Sequence, residues 1–214
     1  MFPRNNQRYF IGSVVRDMQI NISSCNNTAP VISSLPDTCV LAGTPLNFNV
    51  TGTDAEGNVV TLSATGGPLS ISPAATFPTI SGPGTVTGSF SWTPSCSEIQ
   101  LLPYQVTFKS VDDYPITPLV NFESMFIKVV PPAPTGLTAS PAGSSIILNW
   151  LPSACADTTG HNPLRKYLIY RKNTCDPWMH DPCETGVPAY TGYTYIGFTT
   201  GSIFTFTDNN GGSG

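Results

Sequence analysis

Three groups of residues have the types and spacing to do chemistry. Asp54-Ala55-Glu56-Gly57-Asn58 is a short acidic loop, and its glycine permits a tight turn. Carboxylate and amide oxygens are what a hard cation such as calcium takes, but it takes six to eight of them. Asp54, Glu56 and Asn58 therefore need help from outside the loop. Asn27, in the upstream polar segment, is the first candidate, and Asp17, Asp112 and Asp113 are others. The alternative is a polar hairpin turn that binds nothing. Cys175-Asp176-Pro177-Trp178-Met179-His180-Asp181-Pro182-Cys183 holds two thiols, an imidazole and two carboxylates. Structural zinc sites use four ligands, usually with closer cysteine pairs, and only Cys155 and His161 could complete a set here. A disulfide between Cys175 and Cys183 is the simpler expectation, stabilising by ~2.5 kcal/mol through loop closure. Tyr190, Tyr193, Tyr195 and Phe198 form the third group. They would suit sugar stacking, or serve as core and ordinary strand surface.

Catalytic chemistry finds little footing. There are two histidines, neither in a nucleophile motif. No Gly-x-Ser-x-Gly, His-Glu-x-x-His or phosphate-cradling glycine loop occurs. Asp112 and Asp113 would point to opposite faces of a strand, which is wrong for a carboxylate pair. The chain reads as non-enzymatic, without a resident cofactor unless calcium binds.

The remaining cysteines suggest a compartment. All six (Cys25, Cys39, Cys96, Cys155, Cys175, Cys183) sit in polar, turn-like surroundings, as in proteins of oxidising compartments. Cys39 precedes the first strong strand pattern and Cys96 follows Trp92 at the end of another, so these two are expected to pair. Such a bond would close a long loop and contribute about 4 kcal/mol. Cys25 and Cys155 would then look to flanking sequence for partners.

Composition sets the frame that must position these groups. Charged residues make up only 10% of 214, while Pro (21) and Gly (19) are abundant. That balance starves helices and feeds turns. The net charge of −4 and scattered basic residues exclude a phosphate-neutralising footprint, hence nucleic acid. Arg165, Lys166, Arg171 and Lys172 read as one solvated strand face. No apolar run reaches the ~20 residues of a membrane-spanning helix, and Met1–Phe10 lacks the apolar core of a signal peptide.

Short alternating runs predict strands at Val31–Ser34, Thr38–Leu41, Leu46–Thr53, Val59–Thr65, Thr85–Trp92, Tyr104–Val111 and Phe122–Val130. Some seven strands with Gly/Pro turns suggest a sandwich. Phe10–Ile22 is expected to be a long strand ending an earlier domain. Pro131-Pro132-Ala133-Pro134 reads as a stiff linker. Strands at Ile146–Trp150, Lys166–Arg171, Tyr193–Thr199 and Ile203–Thr207 are predicted beyond it. The expected organisation is residues 1–24 as the last strand of a preceding domain, 25–130 as one sandwich and 131–214 as an incomplete second one.

The C-terminal part resembles a fibronectin type III domain, on Pro134-x-x-Leu137, Ile146-x-Leu148-x-Trp150, Tyr167–Arg171 and Phe204–Asp208. The resemblance implies a Trp and a Tyr in the core and two further strands. The middle part resembles the cadherin-like and immunoglobulin-like repeats of bacterial surface proteins, on Asn27–Pro30, Gly43–Leu46, Thr53–Asn58, Phe90–Pro94 and Val111–Asp113. The cadherin pattern implies that the acidic loop faces the linker. Arg16–Ile20, Trp92–Cys96 and Asp208–Gly212 are similar to large secreted Bacteroidetes proteins of gliding motility and type 9 secretion. Asp157-Thr158-Thr159 resembles their O-glycan acceptor sequence, with Thr158 as the acceptor. Together these imply tandem all-β immunoglobulin-like, cadherin-like and fibronectin type III sandwiches. The implied role is a structural or adhesive extracellular cell-surface module, filament-forming in one version. Its partners would be other copies or domains of the same protein, and glycans. The alternative is a carbohydrate-binding accessory region of a secreted enzyme.

Overall fold

The computed structural model describes residues 3–4, 7–8, 13–20, 26–156, 166–174, 178, 181, 183–184 and 186–209. No α-helix occurs among them. Near the start, β1 (Pro3–Arg4) and β2 (Gln7–Arg8) pair antiparallel. Ser13–Ile20, the described part of the expected Phe10–Ile22 strand, forms no strand. Val14, Val15, Met18 and Ile20 are all strongly exposed. Val14, Met18 and Ile20 would share one face of an extended chain, but no described strand pairs with this segment or covers that face.

Eight strands build the first sandwich. They are β3 (Val31–Ile32), β4 (Thr38–Leu41), β5 (Leu46–Thr53), β6 (Val59–Gly66), β7 (Ile80–Pro83), β8 (Thr85–Trp92), β9 (Tyr104–Val111) and β10 (Val120–Val130). One sheet runs β4-β10-β9-β6-β7 and the other β3-β5-β8. The chain passes from one sheet to the other between β3 and β4, so that β4 lies parallel to β10 while the remaining pairs are antiparallel. The sequence pattern explains the layering. In β8, Val86, Gly88, Phe90 and Trp92 are buried and the residues between them exposed, as one face of a half-buried strand requires. Phe90 stacks on Phe48 at 4.8 Å, and Phe108 meets both edge-on. Val50, Val60, Leu62, Val106 and Ile127 complete a core sealed from solvent, each such side chain contributing ~1.5–3 kcal/mol.

The second unit is smaller. Its strands are β11 (Thr135–Ala142), β12 (Ser145–Leu151), β13 (Lys166–Arg171), β14 (Thr194–Thr200) and β15 (Thr205–Asp208). β11-β12-β15 form one sheet and β13-β14 the other. Trp150, Tyr167 and Ile169 fill the space between, with Trp150 edge-on to Tyr167 at 5.6 Å. Arg171 departs from the expected solvated face. Its guanidinium Nη1 lies 3.0 and 3.1 Å from the two carboxylate oxygens of Asp208, joining the two sheets. The molecule is thus all-β, a tandem of immunoglobulin-like and fibronectin type III-like sandwiches. β7 and β11 were not legible beforehand, because Ile80–Pro83 is a four-residue strand with a glycine and a proline and Thr135–Ala142 buries none of its residues.

Candidate functional site: the polar junction and the disulfides

Three loops meet at one end of the first sandwich. The β5–β6 loop brings Asp54, Glu56 and Asn58; the segment entering β3 brings Asn27 and Thr28; the β9–β10 loop brings Asp112 and Asp113. Gly57 at φ 84° lets the first loop turn so tightly. Its Asp54 Oδ1 then accepts the Asn58 backbone N–H at 2.8 Å. Asn58 Nδ2 donates to Asn27 Oδ1 at 3.1 Å, and Asn27 Nδ2 donates to Asp112 Oδ2 at 2.9 Å and to the Thr117 carbonyl at 3.3 Å. Thr28 Oγ1 donates to the Glu56 carboxylate, 2.9 and 3.0 Å from its two oxygens, and the Val59 N–H donates to Asp113 Oδ1 at 2.8 Å.

Asp112 anchors this cluster. It is buried, and its Oδ1 also accepts the N–H groups of Tyr114 and Leu119. Burial by itself pushes the carboxyl pKa up. The Leu119 N–H, the Asn27 amide and the Tyr114 N–H oppose it, and the net result lies below the ordinary aspartate value.

The structure brings Asn27, Asp54, Glu56 and Asn58 together, and with them Asp112 and Asp113 of the further candidates. Asp17 is exposed on the separate 13–20 segment. The donors are oxygens, the chemistry calcium takes, and Asp54 Oδ2 is buried without a hydrogen-bond partner. Yet Asn27 turns an amide N–H, not an oxygen, toward Asp112. Among the described residues no three His, Cys, Asp or Glu side chains stand close enough to hold an ion. The arrangement fits a linker tied down by hydrogen bonds better than a calcium cage.

The disulfides differ from the expectation. Cys39 on β4 bonds Cys183, with Cα atoms 5.7 Å apart, and Cys96 bonds Cys155 at 5.4 Å. Both separations fall in the range a disulfide spans. Cys39 and Cys96 do not pair with each other: Cys39 lies within the five-stranded sheet, whereas Cys96 opens a 3₁₀ turn (Cys96–Glu98) beyond β8 of the other sheet. Each is met instead by a cysteine from the second unit. Cys183 is therefore not available to Cys175. Cys175, Cys25, both histidines and Thr158 lie outside the described residues.

A capping box fixes the Cys96 turn: Ser95 Oγ accepts the Ser97 N–H, and Glu98 Oε2 accepts the Ser95 N–H at 2.6 Å. Burial pushes the Glu98 carboxyl up, but hydrogen bonds from Ser97 and Ser95 bring it below its ordinary value. Opposite, Cys155 is buried within the first sandwich's core, and Ser153 Oγ donates to the Pro132 carbonyl. Tyr167 Oη accepts the Ser153 N–H at 3.2 Å, tying this contact to the second core.

The aromatic group is partly committed to its own neighbours. Tyr195 packs edge-on against Tyr170 at 5.6 Å, Lys166 Nζ stands over Phe198, and Lys172 Nζ over Tyr193. Tyr190 is 80% exposed.

No family model matches the sequence, and a search of curated proteins finds no match. Solved structures give weak likenesses. The SrpA adhesin of Streptococcus sanguinis is 14% identical, with a TM-score of 0.37, over 60% of this chain and 89% of that one. A titin fragment is 11% identical at 0.37, over 85% of this chain and 56% of that one. AggA, the major subunit of aggregative adherence fimbriae of Escherichia coli, is 13% identical at 0.32, over 50% and 97%. At such identities the fold stands on the strand pairing described above.

Proposed function

We propose that the chain is a structural and adhesive section of a large extracellular cell-surface protein, with modules at 25–130 and 131–214. The carrying observation is the pair of disulfides joining the two sandwiches. Disulfides persist in oxidising compartments, and bonds between modules serve to hold a shape. The polar junction supports the same reading, since it fixes the segment that enters the first sandwich. Within this proposal, gliding motility and type 9 secretion are the finer assignment suggested by the sequence resemblance. Filament formation would use further copies, meeting through the exposed Val14, Val15, Met18 and Ile20.

Surface labelling and protease shaving of intact cells test the location. Accessible protein with its cysteines oxidised is the expected result; an internal, reduced protein overturns it. Sedimentation of the chain with and without residues 13–20 tests self-association, which should weaken on deletion.

The exposed Tyr190 keeps a carbohydrate-binding accessory role as the second reading. A glycan array separates the two. Binding that is lost on Tyr190→Ala would favour the second.

A further inference from the structure

The two disulfides are nested, and nesting has a mechanical consequence. Cys39 lies at the second residue of β4, and Cys183 lies between β13 and β14. Cys96 and Cys155 fall inside the span they close. Pull on the chain from both sides and tension travels from the N-terminal segment to Cys39. It then crosses the disulfide to Cys183 and leaves through β14 and β15. Everything from β5 to β13 is bypassed.

The bypass changes which contacts resist. β4 runs parallel to β10, with Thr38 opposite Ile127 and Leu41 opposite Val130. Without a crosslink, tension would enter β4 at its first residue and leave β10 at its last. That would load the parallel pair in shear and, once it failed, expose the core of Phe90, Phe108 and Trp92. With Cys39 bonded to Cys183, the load departs from β4 almost where it arrives. The elements left in the path are the β1–β2 hairpin, β3, joined to β5 at Val31–Thr53 and Ile32–Gly52, and then β14 and β15 with their single partners β13 and β12.

We propose that the tandem is one tension-bearing unit in which the Cys39–Cys183 bond carries load around the first sandwich. The Cys96–Cys155 bond and its capped turn fasten the second unit to the core of the first. That the protein meets tension rests on the surface-module reading. The load path rests only on the bonds.

The experiment is single-molecule stretching of the whole chain held at its two ends, before and after reduction. The Cys39–Cys183 bond spans a sequence separation of 144. At about 3.5 Å per residue, reduction should therefore release about 500 Å of additional contour length. Oxidised protein should show the short releases of the β1–β2 hairpin, β3, β14 and β15 and no event from β5 to β10. A gain of only about 230 Å, the length hidden by Cys39–Cys96 with Cys175–Cys183, overturns the proposal. So does a gain of about 200 Å, the length hidden by Cys96–Cys155 alone, or an event from β5 to β10 in oxidised protein. In Cys183→Ser protein, the oxidised chain should already extend about 300 Å further than the parent. Hidden length is covalent and can be read even if the variant folds poorly. Failure of the surface reading would appear in the cell-labelling experiment and leave these lengths unchanged.

Discussion

Asp112 is buried and surrounded by donors that favour its charged form, and this gives the junction a pH dependence with a definite sign. Its folded pKa lies below the unfolded value near 4. Its contribution is thus complete above that value and is lost as pH falls through the folded pKa. Glu98 is depressed in the same direction and adds to the same acid limb. Stability measured by denaturant from pH 6 to pH 2 should fall steeply below about pH 4, and the fall should be shallower in Asp112→Asn. At neutral pH that substitution should cost about 2 kcal/mol, because an amide cannot accept all three N–H groups as well as a carboxylate does. Unchanged stability at pH 7 would show that the junction does not depend on Asp112. Asp54 poses a separate question. Its Oδ2 is the one oxygen of the cluster buried without a hydrogen-bond partner, yet the neighbouring Asn27 turns an amide N–H, not an oxygen, toward Asp112. Millimolar calcium should leave the melting temperature within about 1 °C; a rise accompanied by heat of binding would show the junction rearranging around an ion.

The strands show where pattern can and cannot reveal structure. β8 was readable because its apolar residues recur every second position and nothing interrupts them. β11 was not, because all eight of its residues are exposed and it is held by backbone pairing to β12. The acidic loop declared its own turn and, through the cadherin-like resemblance, its proximity to Asn27. Asp112 was nameable only as one more oxygen donor; that it, and not Asp17, is the anchor was out of reach, since it meets Asn27 across 85 positions. The cysteines illustrate the same limit: partners were sought within each module, and only the folded chain shows that they cross between modules. One feature of β8 leads to a direct test. A side chain at Gly88 would meet the Phe77 ring with its Cβ 2.5 Å from Cζ. Phe77 is itself wedged against Phe108 at 5.1 Å. The glycine therefore makes room for a ring from the loop before β7. Gly88→Ala should destabilise the first sandwich by about 1–3 kcal/mol through overpacking. Phe77→Ala should cost about 3 kcal/mol through the opposite fault, a cavity. In the double variant the penalties should fall short of their sum, since the alanine methyl then enters space the ring has left. Strict additivity would mean the two residues do not compete for the same volume.

At the scale of the whole molecule, the disulfides decide whether two small sandwiches unfold as one. The second unit has a modest core, with Trp150, Tyr167 and Ile169 as its buried members, and small cores are marginal by themselves. Crosslinks restrict the unfolded chain. The Cys96–Cys155 loop, with a separation of 59, is worth about 4 kcal/mol on the chain-entropy model. The Cys39–Cys183 bond encloses that loop, so the two contributions are not additive. Cys155 also sits in the first sandwich's core, so the second unit cannot leave without opening a gap there. Oxidised protein should therefore melt in one transition, with calorimetric and van't Hoff enthalpies in agreement. Cys96→Ser with Cys155→Ser should lower the midpoint, and the double removal of both bonds should split the melt into two. The earlier transition should belong to the second unit, reported by fluorescence of Trp150, while Trp92 remains buried until the later one. Two transitions in the oxidised protein would mean that the modules are tethered without being coupled. The load would then still pass through Cys39–Cys183, but the junction would behave as a hinge instead of a rigid joint.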